Sequence, residues 1–470
     1  MKRKYVKLPK IVKNDVILGK ILNITQKIDR VKSGSIYVCP KGLNYNTAPF
    51  VKEAIKRGAK YVFGSYNFNF NGYFKVKSPR KTLAYLLNIF YGYPDKKLKI
   101  VAVLGTNGKT STTYIFKDLF KSLGKRCGVI GTNGIYIDED YFESSLTTPD
   151  SEELFFYLDK MKQQNIEYVI MEVSAHSVYF DKVFSINFSR AIFTNFSQDH
   201  LDFFKTMDAY KKTKLSFFKN YNIEKCMVNA DDNVCMEVCN YSLVTSYGYG
   251  GDIKIVDASY YQDKTLIKIL YQKNYEFFIP FITDYNVYNY MAVFALALSY
   301  NFNINEVIEK SKNLKKLSGR FEVINFKKTH TIIIDYAHTP KSTSKTLQMV
   351  KKYYPYSYVI TLFGSPGNRE QQKRSITGRI VSRYSDMCII TSDNPDYENP
   401  IKIISQIKKG VKCKHLVFED RQLAVKRAME IFFKTPDCVL VILGKGIEKY
   451  QVINGVKIPY NDKTEVEKYM

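Results

Sequence analysis

No Cys-x-x-Cys pair and no regular cysteine framework occurs among the eight cysteines of this 470-residue chain. Cys226, Cys235 and Cys239 form a cluster, but neither a second pair nor a nearby histidine completes a zinc set, so free thiols in a reducing compartment are expected. No run approaches the roughly 18 apolar residues of a membrane span, and the basic start Met1-Lys2-Arg3-Lys4 leads into no signal-peptide core. A cytoplasmic protein is expected. Internal repeats and low-complexity segments are also missing. Acidic side chains are few beside basic ones, 45 against 71, which leaves a net charge of +26. Yet the lysines are spread along the whole chain, without a dense basic block or an arginine-rich tail. That pattern is a solvated lysine surface and argues against a nucleic-acid or membrane partner. What is present suffices for real cores: 45% of residues are hydrophobic, and the length exceeds what one core usually supports.

Residues 1–96 read as a small α/β unit, with a strand over Ser35–Cys39, an amphipathic helix over Pro49–Arg57 capped by Gly58-Ala59, and a strand over Tyr61–Phe63. The turn-rich Tyr91-Gly92-Tyr93-Pro94-Asp95 marks a boundary. From 97 to 317, apolar runs alternate with helical stretches, which predicts a parallel sheet wrapped by helices, with strands at Ile100–Leu104, Tyr168–Val173 and Arg190–Thr194. Residues 318–470 repeat that alternation, with strands at Thr331–Ile334, Tyr358–Phe363, Met387–Thr391 and Val439–Leu443. The expected fold class is therefore α/β in three consecutive domains: a central phosphate-loop ATPase domain on a parallel sheet follows the first unit, and a Rossmann-like α/β domain closes the chain.

Directly after the first central strand stands Gly105-Thr106-Asn107-Gly108-Lys109-Thr110-Ser111, running into a helix. Exposed amides at such a helix start cradle phosphate oxygens, Lys109 neutralises the outer phosphates, and the Thr110 hydroxyl can ligate magnesium. The full pattern asks for glycine at 103, where this chain has Val103. Glu172 and His200 follow the next strands, where open α/β sheets place ligands, and a carboxylate with an imidazole there can hold a divalent ion against phosphate. Either residue alone is as readily structural.

Gly105 to Thr110, Thr147-Thr148-Pro149, Glu172-Val173-Ser174, Thr194-Asn195, Asp199-His200-Leu201-Asp202, Asn286-Val287-Tyr288-Asn289, Gly319-Arg320, Asp335-Tyr336-Ala337-His338-Thr339-Pro340, Asp393-Asn394-Pro395 and Gly444-Lys445-Gly446 occur in that order. The series resembles that of the Mur ligases over essentially the whole chain, and most resembles the members that add the third stem-peptide residue to UDP-N-acetylmuramoyl-L-alanyl-D-glutamate. The resemblance implies an ATP-dependent peptide ligase working through an acyl phosphate, with domains for the UDP substrate (1–96), ATP (97–317) and the amino acid (318–470); a monomer is the default expectation. It implies two magnesium ions held by Thr110, Glu172, His200 and Lys214, the last carbamylated by carbon dioxide, with Lys109, Glu172, His200 and Lys214 catalytic. Ser111, Asn289, Arg320 and Asp335 would join the loop in contacting ATP. Asp29, Arg30, Thr147, Thr148, Ser174 and Lys182 would hold the UDP substrate, and Arg369, Asp393, Asn394, Asp396 and Glu448 the amino acid, with Arg369 gripping its carboxylate.

Several positions depart from the family pattern. Ile28-Asp29-Arg30 stands for Asp-Ser-Arg, Lys182 for an arginine, and Ile447 for the histidine before Glu448. Asp396 occupies the place of the arginine that reads the second carboxylate of diaminopimelate in enzymes using that acceptor. A carboxylate there would repel diaminopimelate and attract a terminal ammonium, so L-lysine is the expected acceptor, with ornithine or diaminopimelate the alternatives. A folylpolyglutamate-synthase-like ligase is disfavoured by the uridine-binding pattern Gly34-Ser35-Ile36-Tyr37-Val38 with Gly58-Ala59. A nucleic-acid-binding phosphate-loop NTPase, suggested by charge alone, lacks basic clusters interleaved with aromatics.

Overall fold

The computed structural model describes residues 6–42, 46–144, 146–327 and 329–470; the basic start Met1 to Lys4 lies outside them. Four parallel strands form the first sheet in the order β1 (Ile24–Thr25), β2 (Ile36–Val38), β3 (Tyr61–Gly64), β4 (Tyr73–Lys75). The helix Ala48–Lys56 lies between β2 and β3, within a residue or two of its expected limits. Its positive-φ glycine, Gly58, closes the helix as expected.

The central sheet has eleven strands. Its members are β5 (Lys99–Leu104), β6 (Cys127–Gly131), β7 (Gly134–Ile137), β8 (Asp140–Phe142), β9 (Tyr168–Glu172), β10 (Phe188–Phe193), β11 (Ile223–Asn229), β12 (Val244–Gly248), β13 (Ile253–Tyr260), β14 (Thr265–Tyr271) and β15 (Lys273–Ile279). Their spatial order is β15-β14-β13-β12-β11-β10-β5-β9-β6-β7-β8. Strands from β13 through β6 run parallel, and hairpins at both ends finish the sheet antiparallel. The period of two along β5 explains why it is central. Ile100, Ala102 and Leu104 enter one core with Leu154, Phe155 and Leu158, while Val101 and Val103 enter the opposite core with Phe116, Phe120 and Phe294. Val103 is fully buried and pairs in register with Glu172. A strand residue rather than loop glycine is needed there, so the departure at 103 shortens the loop without harming the sheet.

The third sheet orders β16 (Glu322–Lys327), β17 (His330–Asp335), β18 (Tyr358–Phe363), β19 (Met387–Ile390), β20 (Lys414–Val417) and β21 (Cys438–Leu443) as β16-β17-β21-β18-β19-β20. All pairs are parallel except β16 with β17. Alternate residues again face two cores: Val439, Val441 and Leu443 in one, Leu440 and Ile442 in the other. The carboxyl ends of β5, β9 and β10 and those of β17, β18, β19 and β21 border one cleft. No helix among the described residues is long and apolar enough to cross a membrane.

Candidate active site

A cleft of about 580 Å³ lies between the second and third sheets. Its first wall is the phosphate loop, where Gly105 (φ 149°) and Gly108 (φ 86°) adopt backbone angles that favour glycine. A Cβ on Gly105 would collide with the Thr194 hydroxyl, and one on Gly108 with the Asn289 carboxamide. The helix Lys109–Ser122 starts at this loop, and Asp284–Ser299, buried almost throughout, packs on it and delivers Asn289. Lys109 Nζ donates to the carbonyls of Gly105 and Thr106, both at 2.9 Å. Burial lowers its pKa, against which Glu172 pulls upward.

Glu172 ends β9 and is 1% exposed. Its carboxylate accepts from the Thr132 amide at 3.0 Å and the Thr132 hydroxyl at 3.1 Å, and that hydroxyl oxygen lies within hydrogen-bond distance of Thr147 Oγ1 at 3.1 Å, free to accept from it. Thr132 is thus a site residue that no motif announced. Thr148 and Ser174 stand behind this wall: Thr148 Oγ1 donates to the Glu172 carbonyl at 2.8 Å and accepts from the Ser174 amide at 3.1 Å.

His200 lies opposite, at a positive φ of 56°. Burial drives its pKa down to about 3, although the neighbouring Asp199 carboxylate opposes this. Its ring is therefore neutral at pH 7, and a neutral imidazole offers a metal a lone pair. Asp199 is held well below the carboxylate range despite its burial, by His200 once that ring is protonated in acid and by the Lys373 ammonium, the cation beside it at pH 7. Lys373 Nζ meets Asp199 Oδ1 at 2.7 Å, and Gln198 donates to Glu370 at 2.7 Å, so these pairs tie the central sheet's loop to the third domain. Asp199 stood in the motif series without an assigned role, and Lys373 was not singled out by the sequence.

Lys214 is 1% exposed and stands directly behind the phosphate loop, its Nζ donating to the Gly105 carbonyl at 2.8 Å. Burial, with Lys109 adding to it, holds its pKa well below that of an ordinary lysine. Thr110, Glu172 and His200 line the cleft, whereas Lys214 lies just outside its lining. Among the described residues no three His, Cys, Asp or Glu side chains form a ready metal cage. The donors present suit magnesium, which takes few protein ligands and completes its shell with water and phosphate oxygens.

The second wall comes from the third domain. Arg320 lies over the Tyr336 ring, 4.1 Å from its centre, and the buried Asp335 carboxylate accepts from the amides of Phe321 at 2.6 Å and Ala337 at 2.8 Å. Arg369 is exposed on the lining. Asp393 and Asn394 surround Lys445, whose Nζ donates to Asn394 Oδ1 at 2.9 Å and Glu448 Oε2 at 2.8 Å. Lys445 is fully buried and fixes Asn394 and Glu448, two of the five groups expected to read the amino acid.

Asp396 does not face this cleft. Its φ of 53° turns the chain, its backbone bridges to Ile453, and its carboxylate accepts from Asn368 Nδ2 at 3.0 Å. The argument for lysine from that carboxylate loses its geometric basis. Asp29, Arg30 and Lys182 are also outside the lining. The turn Ile28–Arg30 leans on the helix Ser151–Gln163, where the Gln26 amide and the Thr25 hydroxyl donate to Glu152 and Arg30 approaches it at 3.7 Å. Lys182 pairs with Asp150 at 2.7 Å.

Amide cradle and lysine on one wall, guanidinium and carboxylates on the other, allow a phosphoryl donor and an amine to be presented to one acid. The chain is an ATP-dependent acid–amino-acid ligase. Residues 103–297 match the Mur ligase middle domain and residues 319–446 the Mur ligase glutamate ligase domain. It belongs to the Mur ligase family. A UDP-N-acetylmuramoyl-L-alanyl-D-glutamate–2,6-diaminopimelate ligase of Clostridium acetobutylicum is 34% identical, with 99% of both chains covered. The enzyme of that name from Aquifex aeolicus is also 34% identical, covering 97% of this chain and 94% of its own. A solved structure of that name superposes with a TM-score of 0.69 at 25% identity, over 96% of this chain and 94% of the other.

Proposed function

We propose that this enzyme joins 2,6-diaminopimelate to the D-glutamate carboxylate of UDP-N-acetylmuramoyl-L-alanyl-D-glutamate, in the cytoplasm, at the expense of ATP. The supporting observation is the single cleft lined by both the phosphate loop and Arg369, in a chain whose full-length relatives carry that acceptor in their names. The loop amides and Lys109 hold the phosphate oxygens. The substrate carboxylate attacks the terminal phosphorus as the bridging oxygen leaves, giving an acyl phosphate; the amine then attacks the acyl carbon, phosphate departs and a proton is lost. Bringing these anions together demands cations more than a strong nucleophile. Thr110, Glu172 and His200 would hold magnesium, which when bound would supply part of that charge. The buried, readily deprotonated Lys214 amine suits reaction with carbon dioxide, and the resulting carbamate would add a carboxylate beside them. Arg369 is assigned to the amino-acid carboxylate, and Lys341 is a further cation on the lining available to a second one.

The decisive assay is phosphate release from ATP with the UDP-dipeptide and diaminopimelate, lysine or ornithine in turn. Diaminopimelate is expected to give the highest kcat/KM. Lysine outperforming diaminopimelate would overturn the acceptor assignment but leave the ligase. Release with none would overturn both. Lys214→Ala should abolish turnover, with partial recovery in a short carboxylic acid. Lack of recovery in a variant that still binds ATP removes the carbamate.

A further inference from the structure

The third domain carries two cysteines that the ligation does not use. Cys388 sits on β19, in register with His415 of β20. Cys413, two residues before His415, lies on the same face, and its sulfur is 3.7 Å from that of Cys388. Cys388 is buried in the core beside Val381 and Ile407, whereas Cys413 is half-buried at the edge of that core. The segment holding Cys413 joins the helix Pro400–Lys408 to β20 outside regular structure. Its anchors are the Lys412 and Cys413 amides, which donate to Ser382 Oγ at 2.7 and 3.3 Å.

We propose that Cys388 and Cys413 form a peroxide-reactive dithiol site that closes reversibly to a disulfide. A disulfide needs the sulfurs at about 2.05 Å, an approach of roughly 1.6 Å that a rotamer change at Cys413 and a small shift of its loop can supply. The two cysteines divide the chemistry by exposure. The Cys413 thiolate attacks hydrogen peroxide, breaking the O–O bond to give a sulfenic acid and hydroxide. The Cys388 thiol then attacks that sulfur, a water molecule leaves, and the net change is two thiols and one peroxide to one disulfide and two waters. Electrostatics favour this order: the Cys388 thiol hydrogen bond brings the Cys413 pKa down to about 6, while the same contact and burial raise that of Cys388. The pair lies at the amino end of β19, whereas Asp393 and the ligation cleft lie beyond its carboxyl end, so this is a second reactive site.

The test treats the full-length enzyme at pH 7 with substoichiometric hydrogen peroxide, alkylates free thiols and maps peptides by mass spectrometry. The exposed Cys239 is the internal control. A 388–413 cross-link is expected before Cys239 reacts, at least tenfold faster, and dithiothreitol should reverse it. In Cys388→Ser, dimedone should trap sulfenic acid on Cys413 without a cross-link. In Cys413→Ser, Cys388 should remain a free thiol. Cys239 oxidising first in the parent enzyme while 388 and 413 stay alkylatable would overturn the proposal, whether or not the variants fold.

Discussion

Arg421 holds the third domain's share of the cleft together from behind. It is fully buried with Asp462, Nε meeting Oδ1 at 2.8 Å and Nη2 meeting Oδ2 at 2.9 Å. The same guanidinium donates to the carbonyls of Ser392 at 3.2 Å and Leu443 at 2.9 Å, the residues immediately before Asp393 and Gly444. Arg421→Met removes four charge-assisted hydrogen bonds and strands a buried carboxylate, which among the described residues keeps only the Tyr460 hydroxyl as donor, at 2.9 Å. Breaking one side of a buried pair costs about 3–5 kcal/mol. For a unit of this size, that lowers the melting midpoint by roughly 10 °C. The chain has no tryptophan, so far-ultraviolet circular dichroism in urea is the suitable probe. Arg421→Met with Asp462→Leu should recover most of the loss, because no uncompensated charge remains. The acceptor KM should still rise in the double variant, since Ser392 and Leu443 lose their anchor. A single variant within about 1 kcal/mol of the parent would refute the assignment of a buried charge pair.

Lys373→Met cuts the Asp199 bridge between domains; a hydrogen bond to a charged group contributes about 1.5–3 kcal/mol, so small-angle scattering with ATP and substrate should show a more open enzyme, and an unchanged radius of gyration would count against the bridge. Gly108→Ala drives a methyl into Asn289 at a left-handed backbone angle, so the ATP KM should rise at least about tenfold and the folding midpoint should fall with it; near-normal ATP use would show that the loop yields there. Glu398 is held below its ordinary carboxylate pKa of 4.5 by the hydrogen bond from buried Arg374. Its stabilising contribution is therefore complete above that value and lost as pH falls through the lower folded one. Glu398→Gln should be less stable than the parent at pH 7 and converge with it in that acid window, and parallel urea midpoints across the window would refute the linkage.

The strands that build the cleft were legible because they are buried on both faces, so Ile100–Leu104, Tyr358–Phe363 and Val439–Leu443 stand out as short apolar runs. The hairpins of β13, β14 and β15 were not, because one face is wet: buried Ile253 and Ile255 alternate with exposed Lys254 and Val256. Site residues followed the same division. Gly105 to Thr110, Glu172 and His200 are local to strand ends and could be read. Thr132 acquires its role from Glu172, forty residues away, and Asp199 from Lys373, 174 away, so no spacing announces them. Asp396 failed in the opposite way. Adjacency to Asp393-Asn394 gave it a role, but a left-handed turn carries its carboxylate to Asn368.

The phosphate loop carries an electrostatic problem that its sequence does not show. Lys109 and Lys214 both donate to the Gly105 carbonyl, and each depresses or is depressed by its surroundings through burial. Two cations around one carbonyl repel, and the nearest opposing charges, Glu172 and Asp199, are already committed to Thr132 and Lys373. Losing the Lys214 proton removes that repulsion at the cost of a cation. The proposed carbamylation would go one unit further and place an anion beside Lys109, so the change from ammonium to carbamate would be two charge units within the loop's own hydrogen-bond shell. The altered sign would matter more than the lost cation. It would let the region behind the loop attract a divalent ion, while Lys109 alone remained positive toward phosphate. On this argument Lys214→Arg, which keeps the charge but cannot lose its proton, should be as inactive as Lys214→Ala while binding ATP no better. Substantial turnover in the arginine variant would show that position 214 needs only a positive charge.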